Sequence, residues 1–288
     1  MKKLPVSSTL NLLPRQGLDN TEYVCEALKF HKQMGFESVD FGTGLLDLAE
    51  NGWQERAYAA VEAAKDANIA LGVCHLPFVM GGGNKGEEYM QAFNAQMHNA
   101  IDAAVILGVK HAVMHPNMPT VPMIKFDRAE QYDKVMEHLA PFAEHAARVG
   151  LSLALENMRV HPGTVHTHRF CQTPDELCEV ADALGVGVCW DFGHANISGI
   201  KQSEGLRYVG KRLRVIHIND NVGTDDQHLP PFIGNVDWKD AMKGLSEIGY
   251  EGVFNFEVAT GHLPSSITVR ESFGKYLLSV AEELKSYM

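Results

Sequence analysis

The stretch that decides the fold reads Val149-Gly150-Leu151-Ser152-Leu153-Ala154-Leu155-Glu156. An amphipathic pattern ends at Val149, and a glycine just past a helix supplies the left-handed cap that stops it. The nearly continuous apolar run that follows predicts a parallel strand covered on both faces, over residues 152–155. Glu156 then places a carboxylate at the end of this strand. The stretch therefore predicts a helix, its cap, a buried strand and a reactive side chain in direct succession.

The same unit recurs along the chain. Glycines of this kind also occur at Gly35, Gly108, Gly185 and Gly249, each followed by an apolar residue. The pattern predicts eight strands, at residues 4–10, 38–41, 70–74, 111–114, 152–155, 187–190, 213–218 and 252–256. It predicts eight helices, at residues 21–34, 53–66, 87–107, 129–149, 174–184, 203–209, 238–248 and 272–287. Eight alternating units in 288 residues predict an α/β fold, a (β/α)8 TIM barrel that forms a single domain over residues 1–288.

The composition disfavours several classes of protein. No apolar run approaches the roughly 20 residues that a membrane span needs, so a membrane protein is not expected. The N-terminal residues lack the apolar segment of a signal peptide, and the five cysteines form no Cys-x-x-Cys pair, which together predict a cytoplasmic location. A formal net charge of −11 without a basic cluster makes nucleic acid an unfavourable partner. The sequence leaves a homo-oligomer open.

From the third onward, the predicted strands end on side chains that can bind a metal or move a proton. These side chains are His75, His115, Glu156, Asp191, His217 and Glu257. In a TIM barrel the carboxyl ends of the strands open on one face, which carries the active site in essentially every characterised enzyme of the fold. The six side chains are therefore expected to converge on one reaction centre.

Four of these residues end neighbouring strands, the fifth to the eighth. Glu156, Asp191, His217 and Glu257 provide three carboxylates and one imidazole, an oxygen-rich set with a formal charge of −3. Such a set suits Mn²⁺, Mg²⁺, Co²⁺ or Zn²⁺, and buried carboxylates so close together destabilise one another without a cation. The alternative is that the polar groups only cap the barrel mouth. The sequence favours a divalent metal site.

Five segments carry a family resemblance. They are Leu153-Ala154-Leu155-Glu156-Asn157, Trp190-Asp191-Phe192-Gly193-His194, His217-Ile218-Asn219-Asp220, the long segment 226–238 (DQHLPPFIGNVDW) and Phe254-Asn255-Phe256-Glu257. In this order and spacing they resemble the xylose isomerase-like TIM barrel superfamily, in particular its sugar phosphate isomerase/epimerase proteins and their relative endonuclease IV. The resemblance covers nearly the whole chain, and it specifies the superfamily and not one reaction.

The resemblance implies a divalent-metal-dependent sugar or sugar phosphate isomerase/epimerase, with Mn²⁺ as the first expectation and Zn²⁺, Co²⁺ or Mg²⁺ as alternatives. It implies that Glu156, Asp191, His217 and Glu257 hold the metal. It further implies that Glu156 and Glu257 act as acid and base on opposite faces of a small carbohydrate substrate, through a metal-stabilised enediolate. His194 matches a position that contacts substrate in these enzymes, and a supporting hydrogen bond is its alternative role.

A second pattern of the same superfamily also fits. Endonuclease IV binds three zinc ions through nine residues, and their counterparts here are the four predicted metal ligands together with His75, His115, His194, Asp226 and His228. For His75 and His115, a structural role or a substrate contact is the alternative to metal binding. The resemblance thus leaves open an endonuclease IV-like metal-dependent phosphodiesterase. A metal-dependent lyase or dehydratase on the same barrel and a sugar-binding barrel without activity are further alternatives.

Two loops contain candidate substrate contacts. Asn157 and Arg159 lie in the loop after the fifth strand, where polar contacts to a sugar would be useful. Lys85 belongs to a glycine-rich stretch, residues 81–86, which is either a phosphate-binding or lid loop or merely a flexible one. Where some ketohexose epimerases carry Glu and Arg, this chain has Pro162 and Gly223, so the resemblance does not specify the substrate.

Overall fold

The computed structural model describes residues 4–79, 85–161 and 166–288. The strands are β1 (Val6–Thr9), β2 (Ser38–Gly42), β3 (Ala70–His75), β4 (His111–Met114), β5 (Val121–Pro122), β6 (Ser152–Glu156), β7 (Thr167–His168), β8 (Gly187–Asp191), β9 (Leu213–His217) and β10 (Phe254–Phe256). The helices are α1 (Asn20–Met34), α2 (Trp53–Ala67), α3 (Glu87–Leu107), α4 (Arg128–Val149), α5 (Pro174–Leu184), α6 (Phe192–Ile197), α7 (Gln202–Val209), α8 (Trp238–Glu247) and α9 (Ile267–Ser286). Short 3₁₀ helices lie at Thr43–Leu46, Met123–Lys125 and Gly210–Arg212.

Eight of these strands form one parallel sheet in the order β10-β1-β2-β3-β4-β6-β8-β9. The sheet closes between β9 and β10, where Ile218 pairs with Phe256 and the Ile218 N–H donates to the Asn255 carbonyl oxygen at 2.8 Å. The predicted (β/α)8 TIM barrel is therefore confirmed. Within the described residues, no helix combines the length and the apolarity that crossing a membrane requires.

Glycine ends four of the described helices as predicted. Gly35, Gly108, Gly150 and Gly185 have positive φ angles of 111°, 67°, 76° and 67° and cap α1, α3, α4 and α5. A side chain with a Cβ is strained in this conformation, so glycine is the residue that stops the helix there. The next strand begins two or three residues later in each case, which sets where its carboxyl end falls.

A small apolar cluster fills the barrel beneath the mouth. Its members are all buried and come from neighbouring strands: Val73, Val113, Ala154, Cys189 and Val215. Side chains two residues apart on a strand lie on the same face. The residues two positions further along are the predicted site residues His75, His115, Glu156, Asp191 and His217. The packing of the barrel interior therefore directs these five side chains into one opening.

The structure differs from the predicted elements in three places. Strands β5 and β7 form a two-stranded antiparallel ribbon, and strands of two residues are too short to show an alternating pattern. Helix α6 begins directly after β8 because the Asp191 side chain accepts a hydrogen bond from the His194 N–H at 2.6 Å and caps the helix. Helix α9 begins at Ile267 rather than at residue 272, with Ser266 as its cap.

Gly205 allows α7 to approach the buried ring of Trp190. A Cβ at this position would lie within 3.0 Å of the Trp190 ring, which is fully buried and donates from Nε1 to Gln202 Oε1 at 2.9 Å. We expect Gly205→Ala to lower the free energy of unfolding by about 1–2 kcal/mol, because overpacking outweighs the gain in helix propensity. Urea denaturation measures the change. Gly261→Ala is the control, with a change below about 0.5 kcal/mol, since the described residues leave open space around that Cβ.

Candidate active site

Four side chains meet at the carboxyl ends of β6, β8, β9 and β10. They are Glu156, Asp191, His217 and Glu257, and one ligand atom from each lies within 4.8 Å of the others. The Nδ1 atom of His217 lies 2.9 Å from Glu257 Oε2 and 3.4 Å from Glu156 Oε2. Asp191 Oδ2 lies 4.0 Å from the same nitrogen. The structure thus brings together the four residues that the sequence predicts as metal ligands.

Several buried atoms of this cluster make no hydrogen bond within the described residues. Glu156 Oε2, Glu257 Oε2 and His217 Nδ1 have no hydrogen-bond partner there, although His217 Nδ1 lies within 3.4 Å of both oxygens. Such atoms are rare, since each unsatisfied polar group costs about 1–3 kcal/mol. Two carboxylate oxygens and one imidazole nitrogen that face the same point match the donor set of a divalent cation. The residues present therefore fit a metal ion.

The charges in this cluster depend on one another. Burial alone would raise the pKa of Glu156, but the neighbouring His217 holds that pKa well below its ordinary value. Burial would also raise the pKa of Glu257, but His217 lowers it to about 2. The pKa of Asp191 is instead raised to about 6, mainly by burial and further by Glu156. Both glutamates are therefore ionised at neutral pH and able to accept a proton.

Two residues that the sequence did not single out contact His217 and Asp191 of the cluster. Asp40 Oδ2 lies 3.6 Å from His217 Nε2 and accepts a hydrogen bond from Asn255 Nδ2 at 2.7 Å. Asn219 Nδ2 donates to Asp191 Oδ2 at 2.6 Å. Asp40 lies inside β2 and not at its end. A charged residue in the middle of a buried strand was the signal that would have identified it.

We expect Asp40→Asn to weaken divalent metal binding about 10- to 100-fold, the range found when the partner of a ligating histidine is replaced. The reason is that Asp40 faces His217 Nε2, on the side of the ring away from the cluster, and so favours a proton on that nitrogen. His217 Nδ1 is then unprotonated and able to bind the metal. Titration calorimetry with Mn²⁺ on metal-free protein measures the affinity. Asp66→Asn, at an exposed position of α2, is the matched control. Equal affinities in the two variants would contradict this role of Asp40.

Asn157 joins the ends of β6 and β8. Its Nδ2 donates to the Asp191 carbonyl oxygen at 3.0 Å, and its Oδ1 accepts from the Asp191 N–H at 2.7 Å. The sequence suggested a substrate contact for Asn157. In the structure the residue is buried and both polar atoms of its side chain bind the main chain of Asp191, so it positions that strand end.

A second cluster shares one carboxylate with the first. His115 Nε2 lies 3.2 Å from Glu156 Oε2, and His75 Nε2 lies 3.5 Å from the same oxygen. The two imidazole nitrogens are 3.1 Å apart. The two histidines and Glu156 therefore form another possible ligand set, on the side of the site toward β3 and β4.

A third cluster consists of His194 in α6 and of Asp226 and His228 in the loop after β9. Asp226 lies between two histidines, with Oδ2 at 3.4 Å from His194 Nε2 and Oδ1 at 3.4 Å from His228 Nε2. Arg159 Nε also lies 3.0 Å from Asp226 Oδ2. All nine residues of the second sequence pattern are thus near one another, and Arg159 already neutralises the carboxylate of this cluster.

A cavity of about 450 Å³ opens beside the first cluster, on the side of β1 to β3. Leu45, Leu76 and Phe78 form its apolar wall, and Asp40 and Glu257 face them. This volume lies within the usual range for small-molecule sites. The predicted contact Lys85 is exposed, whereas residues 81–84 of the glycine-rich stretch and Pro162 lie outside the described residues.

Comparisons with known proteins agree with this architecture. The family model described as xylose isomerase-like TIM barrel matches residues 28–275. The protein MJ1311 of Methanocaldococcus jannaschii is 28% identical over 219 residues, which cover 74% of this chain and 72% of that protein. An inosose isomerase of Bacillus velezensis is 25% identical over 189 residues, 61% of this chain and 62% of that protein, so the match spans less than two thirds of this relative.

A solved structure extends the likeness of the fold to nearly every residue. A D-allulose 3-epimerase from Methylomonas sp. superimposes with a TM-score of 0.74 over 99% of both chains, at 15% identity. At this identity the likeness supports the fold alone. The family model, in contrast, covers most of the sequence and includes the ends of β6, β8, β9 and β10. The chain therefore belongs to the xylose isomerase-like TIM barrel family.

Proposed function

We propose that this protein is a divalent-metal-dependent isomerase or epimerase of a sugar or sugar phosphate. The observation that carries the proposal is the cluster of Glu156, Asp191, His217 and Glu257. Its buried ligand atoms, several without a hydrogen-bond partner among the described residues, lie close together beside a cavity of about 450 Å³. The named activities of relatives in the same family, such as inosose isomerase, support the same class of reaction.

The four residues of the cluster would hold the metal, with Mn²⁺ as the first candidate because the donor set is rich in carboxylates. When bound, a divalent cation would polarise the substrate carbonyl and stabilise the negative charge that develops when the α-proton leaves. His75, His115 and His194 surround Glu156 at 3.2 to 3.5 Å and keep its charge balanced.

The two glutamates are suited to move the proton. Glu156 is the last residue of β6 and Glu257 follows β10, and two strands of the barrel separate them, so their carboxylates approach a bound substrate from different sides. Both are ionised at neutral pH, as their lowered pKa values require. One glutamate would remove the proton next to the carbonyl, and the other would return one from the opposite face. Phe78, whose ring stacks on His115 at 4.7 Å, would keep water from this step.

Isotope exchange tests the proposal most directly. Metal-loaded protein in D₂O, given a panel of ketoses, keto-inositols and their phosphates, is expected to incorporate deuterium next to the carbonyl of at least one substrate. In H₂O, product mass separates isomerisation, which conserves the substrate mass, from a lyase or dehydratase reaction, which does not. Absence of exchange with every keto-sugar would exclude the proposed function.

A second candidate function is an endonuclease IV-like phosphodiesterase. The observation that favours it is the presence of three adjoining ligand sets, in which His75, His115, His194, Asp226 and His228 complete the nine-residue pattern. Against it, Arg159 already pairs with Asp226, and the formal net charge of −11 repels DNA. Three bound metal ions per chain together with cleavage of abasic duplex DNA at low salt would establish this function instead.

A further inference from the structure

Arg169 lies on the rim of the barrel mouth, between the loops that follow β4 and β6. Its Nε donates to the carbonyl oxygen of Met118 at 3.1 Å. Its main-chain N–H donates to Gln172 Oε1 at 3.1 Å, and the neighbouring Cys171 carbonyl accepts from the Met158 N–H at 2.9 Å. The turn that carries Arg169 is therefore attached to the segment just after Glu156. This attachment fixes the guanidinium beside the candidate site.

Among the described residues, none forms an ion pair with the guanidinium of Arg169. Over residues 4–79, 85–161 and 166–288 it takes part in no ion pair, and its Nη atoms make no hydrogen bond, although the side chain is only partly exposed. Most arginines that are withdrawn from water bind a carboxylate or phosphate, since the charge loses hydration. Burial lowers the pKa of Arg169, and the positive charge of Arg159 lowers it further. The negative charges of Glu156 and Asp226, which belong to the site, act in the opposite direction.

Arg159 adds a second cation at the same rim. It pairs with Asp226, so the two arginines and this one carboxylate leave a net charge of +1. His161 Nδ1 lies 3.4 Å from Arg159 Nη1, which adds another polar group to the rim. The cavity whose apolar wall includes Leu45 and Phe78 lies on the side of the cluster toward β1 to β3. The site therefore has an apolar wall on one side and two arginines near the loops that follow β4 and β6.

We propose that Arg169, with Arg159 beside it, binds an anionic group of the substrate, either a phosphate or a carboxylate. The identity of the substrate as a keto-sugar rests on the proposed function, whereas the anion site rests on the two arginines alone. A guanidinium group whose Nη atoms make no hydrogen bond within the described residues can bind two oxygens of one phosphate or carboxylate at once. A substrate bound in this way would place its anion over β4 and β6 and its uncharged end in the cavity.

Arg169→Gln is the informative variant, and Arg169→Lys tests for partial rescue. We expect the preference for an anionic over a neutral substrate, measured as the ratio of the two kcat/KM values, to fall about 10- to 100-fold in Arg169→Gln, as for loss of a charged hydrogen bond. The loss should appear in KM and not in kcat. Arg169→Lys should keep part of the preference. Arg148→Gln, exposed at the end of α4 away from the mouth, is the control and should keep all of it.

The substrate panel separates the two anions. It contains a neutral ketose, its phosphate ester and a keto-sugar acid, so the preferred member identifies phosphate or carboxylate. A preference that Arg169→Gln shares with the parent protein would overturn the assignment, as would a loss confined to kcat. Thermal melting of each variant verifies that it is folded.

Inorganic phosphate gives a readout that does not require turnover. Calorimetric titration of the metal-loaded protein with phosphate should show binding that Arg169→Gln weakens about 10- to 100-fold and Arg148→Gln leaves unchanged. If no keto-sugar exchanges deuterium, the proposed function fails while this titration still decides the role of Arg169. Equal phosphate affinity in all three proteins would refute the anion site. Cleavage of abasic DNA that depends on Arg169, without sugar turnover, would overturn the sugar assignment.

Discussion

Replacing Glu156 or Glu257 with glutamine is expected to lower the rate of deuterium exchange about 10³-fold or more. Glutamine keeps the shape of the side chain but neither accepts the α-proton nor contributes a negative charge to the cluster. General base catalysis alone accounts for about 10²- to 10⁴-fold. The measurement is the initial rate of exchange at saturating Mn²⁺. Glu144→Gln, exposed on α4, is the matched control and should retain the full rate.

The two variants should also differ from each other. If the glutamates act on opposite faces, each variant loses proton abstraction from a different epimer of the substrate. Exchange starting from one epimer should then suffer most in Glu156→Gln, and exchange from the other in Glu257→Gln. If one variant loses exchange equally from both epimers and the other variant loses little, a single glutamate performs both steps. Full activity in either variant would refute its role as acid or base.

The regular part of the fold follows from local physics, which explains why the sequence could predict it. Gly150 stops α4 because only glycine adopts its φ of 76° without strain, and the apolar run after it can only be a covered strand. Once β6 is placed in this way, Glu156 must lie at the mouth. The same reasoning applies to Asp191 and His217, so the chemical centre of the site was predicted together with the barrel.

The supporting residues were not predictable because their partners lie far along the chain. Asp40 faces His217 across the barrel and bonds to Asn255, which is 215 positions away in sequence. Arg169 belongs to a turn whose place depends on Met118 and on the two-residue ribbon of β5 and β7. Periodicity carries information over a few turns or strands. It does not show which loops meet above a closed barrel.

Removal of bound metal is expected to abolish isotope exchange and to lower the melting temperature. Without a cation, three carboxylates share a buried site, where burial and, further, the charges of Glu156 and Glu257 raise the pKa of Asp191 to about 6. A metal present at 100 times its Kd adds about 2.7 kcal/mol to the free energy of unfolding. For a chain of this size that corresponds to a fall of roughly 5–10 °C when the metal is removed.

Differential scanning calorimetry before and after chelation, and again after Mn²⁺ is restored, measures the effect. Asp191→Asn provides the decisive comparison, because it removes one ligand and one of the repelling charges together. Its metal-free form should melt close to the temperature of the metal-free parent protein, because the lost repulsion offsets the lost hydrogen bond from Asn219 Nδ2, and added Mn²⁺ should raise it less. If chelation leaves the parent protein unchanged, the buried carboxylates are balanced by the surrounding histidines alone. The cluster would then cap the barrel mouth without a metal, and the proposed reaction would lose the cation on which it depends.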